Sequence, residues 1–361
     1  MADIEFLLGV AFKAQSVRGT ATAMPAIGSG SGTGGAINES DGAVMGSDGT
    51  GVGDSGIAFS LGKTISEKSV ITGSFTRNFA NFLGRTVESF QIVTPLKGSG
   101  ITGSNPLVIA DFVLAAGIGV LHNAAGLDAT GLASGQLYTP ESTTLATAAI
   151  YFGNESSNGG QIILRDVEVQ TMTVNFPPGE EATVTWDMVA EFDSYNETGS
   201  WPAAPFEYGN QATLSAPVVQ GVAFTWGPDT PAAREIGFSS FSVAVENEFE
   251  TVASSNAANG ESKRQIGRRV VASGTIDATD GEFLYEIDQL AEDDIANAEA
   301  LSFQVGTSAS IGVAVNSINV SIPDGELTKL EPERLGNSQA WTIELVARAS
   351  SADTECSLFY N

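Results

Sequence analysis

The sequence predicts a mainly β protein of two tandem β sandwiches, each with one flanking α-helix and long loops. A strand pattern that ends in Pro-x-Gly-Glu occurs twice, at Val167–Glu180 and Val313–Glu326, and a repeated segment indicates a repeated structural unit. Apolar and polar residues alternate through much of the chain, which is typical of half-buried strands. The clearest segments are 167–176, 182–189, 313–322 and 341–347. The length of 361 residues suits two domains, which we place at 1–198 and 199–361.

Shorter blocks repeat in the same order around the long repeat. They are Gly9-Val-Ala-Phe12 with Gly221-Val-Ala-Phe224, Phe59-Ser60-Leu61 with Phe241-Ser242-Val243, and Gly84-Arg85 with Gly267-Arg268. Because order and spacing are both kept, we interpret the chain as an internal duplication. The first copy is longer, with a Gly-rich loop over 27–56 and an insertion around 121–160.

Local signals predict where individual elements begin and end. In both long repeats, we expect proline to end the strand and glycine to take a positive φ in the following turn. An apolar stripe predicts a helix over 280–291 with Asp280 as its N-cap. Members of the stripe are Phe283, Leu284, Ile287, Leu290 and Ala291. In the first copy, Asn105-Pro106 predicts a helix that runs to about Gly117.

The chain is strongly acidic, with 16 Lys and Arg against 43 Asp and Glu and a net charge of −27. This balance disfavours stable binding of nucleic acid, because phosphate is repelled. Half of the basic residues fall in two equivalent segments, which we interpret as polar loops. They are Lys63, Lys68, Arg77 and Arg85 in the first copy, and Lys263, Arg264, Arg268 and Arg269 in the second. By contrast, the acid-rich segment 270–328 holds no Lys or Arg.

Two interpretations of the basic loops are open. In one, they only balance local charge on a solvated surface. In the other, the basic loops of one subunit contact the acidic surface of the next, since complementary charge sets orientation and partner choice.

The search for catalytic and metal-binding motifs gives rejections. Gly53-Asp54-Ser55-Gly56 has the letters of a serine nucleophile, but the single histidine, His122, follows it, so we expect a turn. Two G-x-G-x-x-G stretches, at Gly30–Gly35 and Gly51–Gly56, neither follow an apolar strand nor open a helix. Oxygen-rich segments at 38–41 and 48–54 lack the spacing of a calcium-binding loop. We therefore expect no enzyme activity, no cofactor and no metal ion.

Cysteine usage and hydropathy give further expectations. The single cysteine, Cys356, excludes an internal disulfide. The acidic N-terminal segment and the lack of an apolar stretch of about 20 residues predict no export signal and no membrane span. Four tryptophans could form a sugar-binding platform, although two lie on alternating strands and are better explained as core residues. They are Trp186, Trp201, Trp226 and Trp341.

Several of these segments resemble the major tail tube proteins of long, flexible-tailed bacteriophages. The resemblance covers the Gly/Ser-rich N-terminal stretch, the segment Lys68–Arg77, the polar loops ending in Gly-Arg before a strand, the single helix, and the strand closed by Pro-x-Gly-Glu. It implies β sandwiches whose subunits join edge to edge into rings, with a long loop reaching the neighbouring ring. Most members carry one such unit and form hexameric rings, so two units imply a trimeric ring with approximate sixfold symmetry.

The resemblance also implies partners and location. Rings would stack into a tube within the virion, after synthesis in the host cytoplasm, and would contact tape-measure and tail-terminator proteins. DNA would pass through an acidic channel without stable binding. Charge reversal at Lys263, Arg264 and Arg268 is then expected to weaken ring stacking and to leave the fold intact.

Other classes stay open at this stage. A carbohydrate-binding or adhesin-type β sandwich would require exposed aromatic rings. A glycosidase would require a matched pair of carboxylates, whose separation is not readable from sequence. Another virion component, such as a tail terminator or a decoration protein, would share the same general architecture.

Overall fold

The computed structural model describes residues 8–14, 43–47, 57–71, 77–96, 121–126, 135–140, 148–154, 161–196, 218–227, 234–253, 261–291, 298–306, 318–349 and 353–360. Within these ranges the chain forms a 16-stranded antiparallel sheet and one helix. The predicted mainly β class is therefore confirmed.

The strands of the first half precede residue 199. They are β1 (Leu8–Ala14), β2 (Ala43–Ser47), β3 (Ile57–Ile71), β4 (Arg77–Pro95), β5 (Leu121–Gly126), β6 (Gly135–Tyr138), β7 (Ala148–Asn154), β8 (Gln161–Asn175) and β9 (Thr183–Asn196). The predicted Gly-rich loop 27–56 thus contains β2, and the rest of it lies outside the described residues. The helix predicted to run from Asn105 to Gly117 also lies outside them.

The second half contains seven strands and the helix. They are β10 (Ala223–Trp226), β11 (Arg234–Ala253), β12 (Glu261–Asp277), α1 (Ala278–Ala291), β13 (Ala298–Val305), β14 (Ile318–Leu335), β15 (Ser338–Ala347) and β16 (Ser357–Tyr360). Six of these strands close into a barrel in the order β10, β11, β12, β15, β14, β13 and back to β10.

Alternation along the strands fills the barrel with apolar side chains. Phe224 and Trp226 on β10 are fully buried, and Ala223 and Thr225, which alternate with them, are partly exposed. Phe241 lies at the centre, stacked on Phe224 at a centroid distance of 4.9 Å and edge-on to Phe303 at 5.2 Å. Offset and edge-on pairs of this kind are favoured by the quadrupoles of the rings.

The same order of strand pairing occurs in both halves. In the first half it runs β3, β4, β9, β8, β7, β1, and in the second β11, β12, β15, β14, β13, β10. Each repeated sequence block falls on or directly before strands with the same place in the two orders. The domain division at 198 and 199 stays a prediction, because β8 pairs with β11 and β6 pairs with β16 across it.

The first Pro-x-Gly-Glu segment forms the predicted turn. It joins β8 to β9, Gly179 has a φ of 82°, and the Glu180 amide donates to the Pro177 carbonyl at 3.1 Å. The second prediction is wrong, because β14 continues past Pro323 to Leu335. Ile322 and Gly325 pair with Leu301 and Glu299, so one residue more lies on β14 than on β13 at this point, which is a β-bulge.

The bulge explains the error. Proline has no backbone donor, so inside a sheet it is tolerated at bulges and edges. The turn that ends β14 lies ten residues or so further on, where Gly336 has a φ of 62°. The first Pro-x-Gly-Glu segment therefore lies in the turn after β8, whereas the second lies within β14, the strand at the corresponding place in the second half.

Helix α1 covers the predicted segment and begins two residues earlier. Its N-cap is Asp277, whose Oδ1 accepts a hydrogen bond from the Thr279 amide at 2.9 Å, so the assignment of Asp280 was wrong. Asp280 instead forms an ion pair with Arg234 at 2.8 Å. Leu284 is buried against the barrel, and Phe283 is partly buried under the Arg234 guanidinium at 4.0 Å.

Candidate assembly interface

Two long hairpins project from the sheet at equivalent places. Strand β12 pairs with β15 only over Val271–Asp277, so among the described strands its preceding residues, from Glu261 on, pair with β11 alone. Likewise, β4 pairs with β9 only from Val87 on, and within the described part of the chain its earlier residues pair with β3 alone. We call these two-stranded ribbons the first arm (63–71 with 77–86) and the second arm (247–253 with 261–269). At the usual rise of a strand, the first arm extends for about 30 Å, and the shorter strand of the second arm, 247–253, for about 23 Å.

All eight predicted contact residues lie on the arms, but the prediction of polar loops was wrong. Lys63 and Lys68 are on β3, Arg77 and Arg85 are on β4, and Lys263, Arg264, Arg268 and Arg269 are on β12. A ribbon of two strands exposes both of its faces. Its sequence therefore lacks the apolar face that identifies a strand packed on a core.

Both arms contain a register shift at or beside the repeated Gly-Arg block. In the first arm, Lys63 and Ile65 pair with Thr86 and Leu83, so Gly84 and Arg85 together lie opposite one residue. In the second arm, Glu248 pairs with Gly267 and Phe249 with Gln265, which leaves Ile266, directly before the block, as an extra residue. An extra residue of this kind is a bulge, which tends to bend a strand and increase its twist.

The arginines of the second arm are engaged within the chain. Arg269 contacts Glu246 at 3.5 Å and Glu344 at 2.8 Å. The Arg268 side chain is only 5% exposed and contacts Asp353 at 3.4 Å and Glu355 at 3.8 Å. For these two residues the contacts support local charge balance, which was the first of the two interpretations above.

The contacts of Arg268 change the expected effect of charge reversal on the fold. Reversal at Arg268 would place a negative charge against Asp353 and Glu355 in a buried position, so it is expected to damage the fold. A variant with the charge of Arg268 reversed is therefore not expected to keep its fold. Side chains of the other basic residues of the arms, Lys63, Lys68, Arg77, Arg85, Lys263 and Arg264, lie outside what the structure describes. Their contact with a neighbouring ring stays a prediction.

A pair of single variants measures this difference. Arg268→Met should lower the free energy of unfolding by about 3 kcal/mol, because it leaves acidic groups without their buried partner. Arg269→Met serves as the control and should cost less than about 1 kcal/mol, since exposed ion pairs contribute little. Urea unfolding followed by circular dichroism gives both values. Equal losses in the two variants would contradict the structural role of Arg268.

The acidic partners of Arg268 belong to a C-terminal segment that sequence reasoning did not single out. Strand β16 follows them and pairs with β14 on one edge and with β6 on the other. Cys356 lies in the chain between Glu355 and β16. It is buried, and this burial raises the pKa of its thiol to about 12. The thiol is therefore protonated and unreactive in the native protein at neutral pH.

Three buried acidic residues on β8 and β9 were also missed. Asp166, Glu168 and Glu191 are each at most 5% exposed, and Arg165 contacts Glu191 at 3.5 Å and Asp166 at 4.0 Å. Asp166 has a φ of 51° and lies where the register between β8 and β9 shifts. A charged residue buried at a bulge gives no periodic signal, so the sequence does not show its burial.

The two halves are joined by a short ladder and an aromatic side chain. Ser242–Glu246 of β11 pairs with Thr171–Asn175 of β8. Just beyond this ladder, the Phe176 amide donates to the Phe241 carbonyl at 2.9 Å. The Phe176 ring is fully buried and meets Phe303 of the barrel edge-on at 4.6 Å. A residue of the first half thus completes the core of the second.

The remaining candidate residues and motifs lie either in the core or outside the described residues. The two tryptophans on alternating strands, Trp186 and Trp341, were expected in the core: Trp186 is buried, and Trp341 is partly buried against the core. Trp226 is buried as well, and Trp201 lies outside the described residues. Ser55, both G-x-G-x-x-G stretches and the oxygen-rich segments 38–41 and 48–54 also lie outside them. In the described part of the chain, no three His, Cys, Asp or Glu side chains are placed to hold a metal ion. No helix among the described residues is long and apolar enough to cross a bilayer.

Comparison with known proteins adds no family: no family model and no curated protein sequence matches the chain. The function proposed below therefore depends on the residues and contacts of the chain itself.

Proposed function

We propose that the protein is a structural virion protein whose copies assemble into stacked rings, and that these rings form the tail tube of a long-tailed bacteriophage. The observation that carries the proposal is the repeated pairing order, with a projecting arm at the same place in each half. A chain with two similar units and two similar arms is suited to contacts that repeat around a ring and along a stack.

The arms and edges give a physical reason for assembly. A two-stranded hairpin is marginally stable in water without further packing, yet each arm extends beyond the strands that support its base. Unpaired sheet edges also expose donors and acceptors that invite another chain. Contacts with neighbouring copies would cover both features.

The duplication sets the expected stoichiometry. Each half would supply one tail-tube-like β unit, over 1–198 and 199–361, with the second unit closed as a barrel instead of the predicted sandwich, so three chains would place six similar units around a channel. Symmetry would be only approximately sixfold, because the first half carries the additional strands β2, β5 and β6. Tape-measure and tail-terminator proteins are the further partners that this role requires.

Net charge supports the passage of DNA. Each chain has a net charge of −27, so a ring of three copies would be strongly negative. A carboxylate-rich channel wall would repel the phosphates of DNA. DNA could then move through the tube without stable binding. This role needs no catalytic group and no cofactor.

Negative-stain electron microscopy of the purified protein tests the proposal. Rings or tubes with a central hole are the expected result, and light scattering should give the mass of three chains for a single ring. A monodisperse monomer that binds glycans would instead favour the alternative, a carbohydrate-binding or adhesin-type β sandwich.

A further inference from the structure

The contact between the two halves uses one defined edge of each strand. Ser242–Glu246 of β11 pairs with both β12 and β8, so these two partners lie on opposite edges of β11. Thr171–Asn175 of β8 pairs with both β9 and β11, again on opposite edges. The contact therefore joins the β11 edge that faces away from β12 to the β8 edge that faces away from β9.

Among the described strands, the corresponding edges of two other strands are open over part of their length. In the repeated pairing order, β3 corresponds to β11 and β14 corresponds to β8. Strand β3 pairs with β4 alone among the described strands. The edge of β14 that faces away from β15 pairs with β13 as far as Glu326. From there to Leu335, β14 pairs with β15 alone among the described strands. We call these the open edge of β3 and the open edge of β14 (328–335).

We propose that the open edge of β3 in one copy pairs with the open edge of β14 in the next copy. This would repeat, between chains, the contact that β11 and β8 make within one chain. The occupant of each edge is thus a second copy of this protein, and the inference specifies the contact through which the proposed rings form.

Further details favour this pairing. At the end of β8, Phe176 inserts beside Phe241, and the repeated Phe-Ser block gives Phe241 a counterpart in Phe59 of β3. At the end of β14, Leu335 is 51% exposed, although leucine is usually buried. Leu335 is therefore available to pack near Phe59 of the neighbouring copy.

Pro332 limits how the open edge of β14 can be used. Proline removes one ladder donor and is found on edge strands, where it discourages indiscriminate pairing. A short ladder like the one between β11 and β8 is compatible with one missing donor. Because the two open edges differ, the contact is heterologous and continues from copy to copy until a ring closes.

Cysteine cross-linking tests the contact. In the alignment of the repeated Phe-Ser block, Gly62 of β3 corresponds to Ala244 of β11. Gly62 is changed to cysteine together with one of three alternate positions on β14. The double variants are Gly62→Cys/Lys329→Cys, Gly62→Cys/Glu331→Cys and Gly62→Cys/Glu333→Cys. The native Cys356 does not compete, because its thiol is buried. After mild oxidation, at least one double variant should give covalent dimers and trimers on a non-reducing gel. The single variants should give no covalent trimer, because one new cysteine per chain can link only two chains.

The internal contact supplies the matched reference. Thr173 and Ala244 lie directly opposite each other, so Thr173→Cys/Ala244→Cys should link within one chain and keep the mass of a monomer. If this reference links while all three test variants stay monomeric, or link only within a chain, the proposed contact is wrong.

Microscopy of the same samples separates this inference from the proposed function. Rings without a cross-link between copies would overturn the β3–β14 contact and leave the tail tube proposal standing. Cross-linked copies that never form rings would support the contact and count against the tail tube. Absence of both rings and cross-links would contradict both proposals.

Discussion

Replacement of Phe176 by alanine is expected to lower the free energy of unfolding by about 3–5 kcal/mol, the usual range for a fully buried aromatic residue. The ring is 0% exposed, and it contacts Phe303 at 4.6 Å and Phe241 at 6.5 Å. Removal would leave a cavity at the point where a residue of the first half enters the core of the second. We therefore also expect the two halves to unfold less cooperatively.

Urea unfolding followed by circular dichroism and by tryptophan fluorescence measures both effects. Val218→Ala is the control, because this apolar side chain also lies at a backbone bridge, to Glu181, but is about half exposed, and it should change stability by less than about 1 kcal/mol. Coincident transitions in the two signals and a loss below 1 kcal/mol for Phe176→Ala would show that the halves do not depend on a shared core.

Substitution of Gly274 by alanine should cost about 3 kcal/mol or more, at the upper end of the range for overpacking. An added Cβ would overlap the Ser240 carbonyl oxygen and lie 2.9 Å from Cδ2 of Phe241. A backbone carbonyl cannot rotate away as a side chain can. Strand β12 would therefore have to separate from β11 at the centre of the barrel, where Gly274 pairs with Phe241.

Gly237→Ala provides the matched control for this substitution. Gly237 lies on the neighbouring strand β11 and also pairs within the sheet, but nothing lies within 4 Å of an added Cβ. Alanine there should be neutral or slightly stabilising, since it restricts the unfolded chain. Thermal unfolding of the two variants compares them directly, and equal melting temperatures would show that the barrel tolerates the Gly274 methyl group.

Strands that pack on the core were predictable from the sequence because one of their faces is apolar. Alternation identified the segment 182–189, now in β9, and the segment 341–347, now in β15. Helix α1 was predictable for a similar reason, although its N-cap is Asp277. Two acidic residues lie close together at the start of this helix, and sequence alone does not show which one caps it.

The arms, the bulge at Pro323 and the Arg268 contacts were not predictable by the same means. The arm sequences lack the alternation of apolar residues that identifies a strand on the core, so they resemble loop sequences. Pro323 suggests the end of a strand unless the partner strand is known. Arg268 and Asp353 are 85 residues apart in sequence, and only the fold shows that they meet.

Strand β16 has a consequence for the order of folding. Tyr138 of β6 is fully buried, yet β6 lies between β5 and β16, and β16 follows every other described strand in the chain. During synthesis, β6 must wait for a partner that the ribosome produces much later. Contacts that distant in sequence form slowly, and an unpaired edge is prone to aggregate in the meantime. Refolding should therefore be slow and sensitive to protein concentration, with docking of β16 among the last steps.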